Sequence, residues 1–221
     1  MFEAAELDHK VPKDDFRKEE AALRRSLLEA QRELGAKGRF PVLILIAGVE
    51  GAGKGETVHL LNEWMDARFI EVSGFGLPTE EEAAHPPMWR FWRALPPKGR
   101  IGVFFGAWHT MPILERVFGK LGPGGFAARM EEINRLERML AQEGVLLIKY
   151  WFHLSKAQQR KRMKALEKDK ETSWKVTRVD RAMFDRYDDF IEVCEPFLRE
   201  TSTGEAPWTI VPAADERYRA L

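Results

Sequence analysis

Seven consecutive residues, Gly48-Val49-Glu50-Gly51-Ala52-Gly53-Lys54, set glycines and a lysine at G-x-x-x-x-G-K spacing, the pattern of a loop that wraps a phosphate group. Such glycines let successive backbone N–H groups curl inward around an anion, and the helix that follows directs its positive end at the same point. Gly51, Ala52, Gly53 and Gly55 are therefore expected to hold phosphate through their amides, with Lys54 as a point charge on the terminal phosphates. Most loops of this kind carry a Ser or Thr hydroxyl for magnesium after the lysine, and here that position is Gly55. Thr57 is the nearest hydroxyl; it either substitutes in part or satisfies a backbone carbonyl.

The letters gain meaning from their setting. Pro41 to Ala47 is a short, unbroken apolar run rich in branched residues, which predicts a strand covered on both faces, and a helix is expected from Gly53 to about Asp66. Upstream, Asp15 to Leu34 has the apolar spacing of an amphipathic helix. Downstream, Arg68 to Val72 reads as a second strand, Ser73 to Pro87 as an irregular loop, and Met88 to Leu95 as an aromatic helical turn. On that turn Trp89, Phe91 and Trp92 either stack on a base or fill the core, while Arg90 and Arg93 are anion candidates. Ile101 to Phe105 is a third buried strand. Phosphoryl-transfer enzymes of this topology usually present a metal-holding acid at the end of that strand, yet Gly106-Ala107-Trp108-His109-Thr110-Met111 contains no carboxylate. His109 is either a hydrogen-bonding partner for a phosphate or a packed residue.

Pro112 to Phe118 and Pro123 to Gln142 are predicted helices, Val145 to Tyr150 a fourth strand, Asp180 to Phe197 one helix with Met183, Phe184, Tyr187 and Phe190 toward the core, and Pro207 to Val211 a fifth strand. Strands alternating with helices at this spacing require a parallel sheet with right-handed crossovers. The fold class is thus α/β, a three-layer α/β/α unit of P-loop kinase type with about five parallel strands.

Lys plus Arg and Asp plus Glu each number 35 in 221 residues, so no overall charge points to nucleic acid or a membrane surface. Cys194 is the one cysteine; it excludes an internal disulfide, reads as a small buried hydrophobe, and fits a reducing cytoplasm. Charge is concentrated locally instead. Lys156 to Arg181 holds ten bases against four acids, a cationic segment that would draw a polyanion. Arg160, Lys164, Lys175 and Arg178 belong to it, and its place after the fourth strand is that of a mobile lid in nucleoside-phosphate kinases.

Three stretches together resemble the family-2 polyphosphate kinases: AGVEGAGKGET around Lys54, ALPPKGRIGVFF leading to Phe105, and HLSKAQQRKRMKALEKDKETSWKVTRVD through the basic segment. The final APWTIVPAADERYRAL is similar to the end of that family's domain. The resemblance implies phosphoryl transfer between inorganic polyphosphate and a nucleotide, AMP giving ADP, assisted by Mg2+. It makes residues 1–221 one such domain, with an N-terminal amphipathic helix over 1–38 and a basic lid over 155–181.

The family loop resembles G-x-D-x-x-G-K-G, so Gly55 is expected and Glu50 stands at the acid position, implied as a catalytic and metal-holding carboxylate beside Lys54. Arg90, Arg93 and His109 are the implied nucleotide contacts, and Trp174-Lys175 matches the family's W-K after the lid. The second family motif resembles F-[DN]-R-S-x-Y; Gly106 and Ala107 take its acid and arginine positions. A subgroup acting on AMP looks like two fused copies of this domain, the first with weakened motifs, and the chain is similar to such a first copy. The partners then expected are polyphosphate and AMP or ADP, with the chain either a homo-oligomer or joined to a second similar domain. The alternative is a catalytically silent half that binds polyphosphate or supports dimerisation. An ordinary ATP-dependent nucleoside-monophosphate kinase is a third reading, against which the long basic segment argues.

Overall fold

The computed structural model describes residues 1–221. Five strands, β1 (Val42–Gly48), β2 (Ile70–Gly74), β3 (Ile101–Phe105), β4 (Leu146–His153) and β5 (Trp208–Pro212), form one sheet in the order β2-β3-β1-β4-β5, and every pairing is parallel. β1 is central because its VLILIAG run can be covered on both faces, and it is buried except at Gly48. Val42 stands opposite Ile101 on one side and Leu146 on the other. The edge strands β2 and β5 are the more exposed ones.

The helices are α1 (Lys13–Lys37), α2 (Lys54–Trp64), α3 (Glu80–Ala83), α4 (Trp89–Trp92), α5 (Thr110–Val117), α6 (Pro123–Gln142), α7 (Lys156–Lys168), α8 (Arg178–Asp185), α9 (Tyr187–Glu200) and α10 (Glu216–Ala220). From β1 the chain moves outward to β2, whereas β3 and β4 connect toward the other edge, so right-handed crossovers put α2 on one face of the sheet and α5, α6, α8 and α9 on the opposite one. Packing agrees: α1 lies against α2 and α10, and α5 lies against α6 and α9. The expected three-layer α/β/α arrangement is present, and the reversal of direction beside β1 opens a crevice at the carboxyl ends of β1 and β3.

Two segments differ from the sequence reading. The loop expected over Ser73 to Pro87 begins as strand, to Gly74, and contains α3, because Thr79 and Glu82 close a capping box: the Thr79 hydroxyl accepts from the Glu82 amide at 3.2 Å and the Glu82 carboxylate accepts from the Thr79 amide at 2.9 Å. The single helix expected over Asp180 to Phe197 is two, α8 and α9, broken at Arg186. The Tyr187 hydroxyl donates to the Leu154 carbonyl at 2.7 Å, and Asp188 and Asp189 sit in the first turn of α9, where carboxylates favour a new helix start.

The face covered by α6 buries an ion pair. Lys149 of β4 donates to Glu137 of α6 and to the Thr201 carbonyl, both at 2.6 Å, and its ammonium lies 4.8 Å from the Trp208 ring centre. The other Glu137 oxygen accepts from the Trp108 indole N–H at 3.0 Å. Burial pushes the Glu137 carboxyl up and the Lys149 amine down, each opposed by the partner's charge. Removing one partner strands the other, so Lys149→Met is expected to lower unfolding free energy by about 3–5 kcal/mol. Urea unfolding checks it, with the double variant Lys149→Met, Glu137→Leu recovering most of the loss.

Candidate functional site

β1 ends at Gly48 and the chain turns through the glycine-rich loop directly into α2. The amides of Gly51, Gly53, Lys54, Gly55 and Glu56 donate to no backbone carbonyl, whereas that of Ala52, expected to hold phosphate, is taken up by the Val49 carbonyl at 3.3 Å; the unused N–H groups lie at the positive end of an 11-residue helix. The Lys54 side chain, largely buried, bends back over the loop, 2.9 Å from the Gly48 carbonyl, 3.3 Å from that of Val49 and 3.0 Å from a Glu50 carboxylate oxygen. Without an anion, the loop's own oxygens satisfy its cation. The Thr57 hydroxyl donates to the Gly53 carbonyl at 3.2 Å, the backbone-satisfying arrangement of the two that the sequence left open.

Beside the loop, a cavity of about 220 Å³ is lined by Gly48, Glu50 and Lys54 from the loop, Phe105 and Gly106 from the end of β3, and His109 leading into α5. His109 is 1% exposed; its ring stands edge-on to Trp208 with centroids 5.2 Å apart, and neither ring nitrogen has a hydrogen-bond partner. Burial first, then the positive charges of Lys149 and Lys54, push its pKa down to about 3. A neutral imidazole there offers one donor and one acceptor and no charge.

At the end of β3, Gly106 adopts φ 79°, and a Cβ there would come within 2.6 Å of the Phe75 carbonyl oxygen. Ala107 is buried. The position where an acid would hold magnesium is therefore closed to any side chain in this backbone geometry. Magnesium asks for near-octahedral oxygen donors, usually one or two carboxylates plus substrate phosphates. Glu50 is the one carboxylate lining the cavity, it is ion-paired with Lys54, and no three acidic, histidine or cysteine side chains come together elsewhere. These residues do not form a resident magnesium centre.

The other residues singled out in the sequence fall around this cavity unequally. Arg90 lies in a second cavity of about 240 Å³ between α4 and α5, 3.1 Å from the Gly76 carbonyl and 3.4 Å from Glu82, with its guanidinium over the Phe75 ring. Arg93 is exposed, 3.7 Å from Glu81 and over the Trp89 ring. Of the nearby aromatics, Phe91 is core, Trp89 stacks on His85 and Trp92 is exposed. Arg160 on α7 covers the Phe184 ring, Lys175 lies over Trp174, and Lys164 and Arg178 are exposed and make no ion pair. Cys194 is wholly buried, and burial pushes its thiol up.

Three residues not singled out in the sequence converge at the mouth of the loop. Glu56, in the first turn of α2, accepts from Arg162 of α7 at 2.6 Å and from Arg219 of α10. The Arg219 guanidinium lies against Gly53 so closely that a Cβ there would sit 2.3 Å from its central carbon. Arg162 was visible only as one base among ten, and Arg219 stands 163 positions from Glu56 with no local signal.

The family model for polyphosphate kinase 2 (PPK2) matches residues 10–221. The chain belongs to the polyphosphate kinase 2 family. It is 54% identical over its whole length to a polyphosphate:AMP phosphotransferase of Pseudomonas aeruginosa, of which it covers 45%. It is also 33% identical to an AMP/ADP-polyphosphate phosphotransferase of Meiothermus ruber, with 90% of this chain and 74% of that protein covered. A solved polyphosphate kinase 2 structure from Pseudomonas aeruginosa PA01 superposes with TM-score 0.90 at 50% identity, over 100% of this chain and 44% of that one. Another, from Arthrobacter aurescens TC1, superposes with TM-score 0.91 at 30% identity, over 96% and 76%. The chain thus spans less than half the length of the Pseudomonas relative.

Two measurements follow from this geometry. Because the His109 pKa falls from 6.5 to about 3 on folding, the unfolded chain binds the extra proton in between, and stability drops as pH falls below 6.5. His109→Gln is expected to lose about 2 kcal/mol less than the parent chain between pH 6.5 and 4.5, read by urea unfolding at both pH values. Gly106→Ala must carry a Cβ at positive φ against the Phe75 carbonyl, and it should cost at least about 1–3 kcal/mol in the same assay at pH 7.

Proposed function

We propose that this chain is a phosphotransferase domain that takes inorganic polyphosphate as donor and AMP as acceptor, giving ADP. The observation carrying this reading is the set of unused amides of Gly51, Gly53, Lys54, Gly55 and Glu56 beside the Lys54 ammonium, with exposed cations on α7 and α8. In the proposed reaction those amides hold the donor phosphates, and Lys54 leaves the Gly48 and Val49 carbonyls to bridge the donor and the transferred group. Arg160, Lys164, Lys175 and Arg178 cover the polyanion as a lid over 155–181, excluding water. The acceptor lies toward the cavities that Arg90 and His109 line, with Arg93 on the same short helix segment as Arg90 as a further anion contact. Positioning and charge neutralisation carry phosphoryl transfer, and no covalent intermediate is required. Glu50, the one carboxylate lining the cavity, would be the side chain to meet a magnesium ion carried in with the polyphosphate, whose charge that ion would partly neutralise. Similarity to the polyphosphate:AMP phosphotransferase of Pseudomonas and the AMP/ADP-polyphosphate phosphotransferase of Meiothermus supports the donor and acceptor. No helix is long and apolar enough to cross a membrane, and the single buried thiol accords with work in the cytoplasm.

A second reading is favoured by one observation, the closed turn at Gly106: the domain binds polyphosphate and leaves transfer to a similar domain, joined to it or paired with it. One assay separates the two. The chain is incubated with long-chain polyphosphate, AMP and magnesium, and ADP is measured beside polyphosphate binding at several salt concentrations. The first reading expects ADP formation that falls roughly 10^2- to 10^3-fold in Lys54→Ala. Salt-sensitive binding that needs Lys54, without turnover, establishes the second. ADP formed with ATP but not polyphosphate, or no salt-sensitive binding, defeats both.

A further inference from the structure

Glu56 occupies an unusual electrostatic position. Two guanidiniums from elements far apart in the chain, Arg162 and Arg219, converge on its one carboxylate, leaving a local excess of positive charge next to the free amides of the loop. The layering of the three side chains runs from outside to inside: Glu56 is 45% exposed, Arg162 26% and Arg219 3%. An anion arriving from solvent therefore meets the carboxylate first, and the cations lie behind it. The Arg162 Nε–H is buried without an acceptor, so its guanidinium retains an unused donor beside the one Glu56 takes. Arg219 is held by the Ala213 carbonyl at 3.3 Å as well as by Glu56, and it presses on Gly53 inside the phosphate-binding turn. Burial lowers its pKa against the supporting charge of Glu56.

We propose that Arg162 and Arg219 form a further phosphate seat next to the Lys54 loop, which Glu56 keeps closed with its own carboxylate until a phosphate of the donor chain displaces it. The inference rests on the polyphosphate reading above and deepens it. A phosphate group carries more charge than a carboxylate and offers more acceptor oxygens, so it can take the unused Arg162 N–H as well as the bond given to Glu56. The exchange swaps one ion pair for another, which keeps the bare loop from leaving two facing arginines unpaired. It also selects for a linear polyanion, since only a chain extending past Lys54 reaches both places.

The probe is inorganic tripolyphosphate, with affinity measured by calorimetry on the full chain and on Glu56→Gln, which keeps an acceptor for the arginines but removes the competing charge. Tripolyphosphate should bind Glu56→Gln roughly two- to fivefold more tightly, the range set by loss of one exposed competing ion pair. Glu63→Gln, farther along α2, removes the same charge without touching either arginine and should leave affinity at the parent value. The double variant Glu56→Gln, Arg162→Ala should lose the gain. Thermal unfolding adds a second readout: Glu56→Gln should melt below the parent chain without ligand and show the larger upward shift with it. An affinity in Glu56→Gln equal to or below the parent's, or a gain that survives Arg162→Ala or is matched by Glu63→Gln, overturns the seat. A parent chain whose tripolyphosphate binding is indifferent to Lys54→Ala instead removes the polyphosphate reading, and the seat with it.

Discussion

The loop between β1 and α2 gathers unused amides around a largely buried ammonium, and balancing that positive charge organises the site. Amides that point inward and a buried ammonium would repel one another if nothing negative were near. The chain meets this locally: Lys54 folds onto the Gly48 and Val49 carbonyls and the Glu50 carboxylate. The same solution recurs a turn later, where Glu56 sits between Arg162 and Arg219. In each case an internal oxygen pairs with the cation, and on the proposed reading a phosphate binds by exchange of partners rather than by creating charge contacts in a bare site.

That arrangement depends on a rigid support. β1 is covered on both faces and paired on both edges, so the point where the loop begins is fixed relative to β3 and β4. The layer behind it contains charge of its own, the Lys149–Glu137 pair with Trp108 and Trp208 around it. The pair lies close enough to His109 for the Lys149 charge to help keep that imidazole neutral. The cavity thus carries the Lys54–Glu50 ion pair at the loop and an uncharged imidazole at its His109 wall.

Against this support the end of β3 is a steric constraint rather than a missing letter. A glycine at positive φ with a carbonyl oxygen where its Cβ would be means that restoring an acid requires the Phe75 segment to move as well. Any chemistry in the cavity proceeds without a carboxylate at that position.

Much of this was legible in the order of residues. The G-x-x-x-x-G-K spacing after a branched apolar run determined the loop and its helix, and the alternation of periods determined a parallel α/β sheet, because strand and helix patterns are local properties. The 20-residue span of α6 came out at Pro123–Gln142 for the same reason, with proline at its start. The break at Arg186 did not, since it depends on a hydroxyl reaching Leu154 on a different element. The sequence by itself thus determined the family, the layers and the glycine-rich turn between β1 and α2. Only the tertiary structure decided that Gly106 is closed to a side chain, that His109 is buried without a partner, and that Glu56, Arg162 and Arg219 meet. Each of those facts is a contact between segments far apart in the chain, and local spacing carries no information about such contacts.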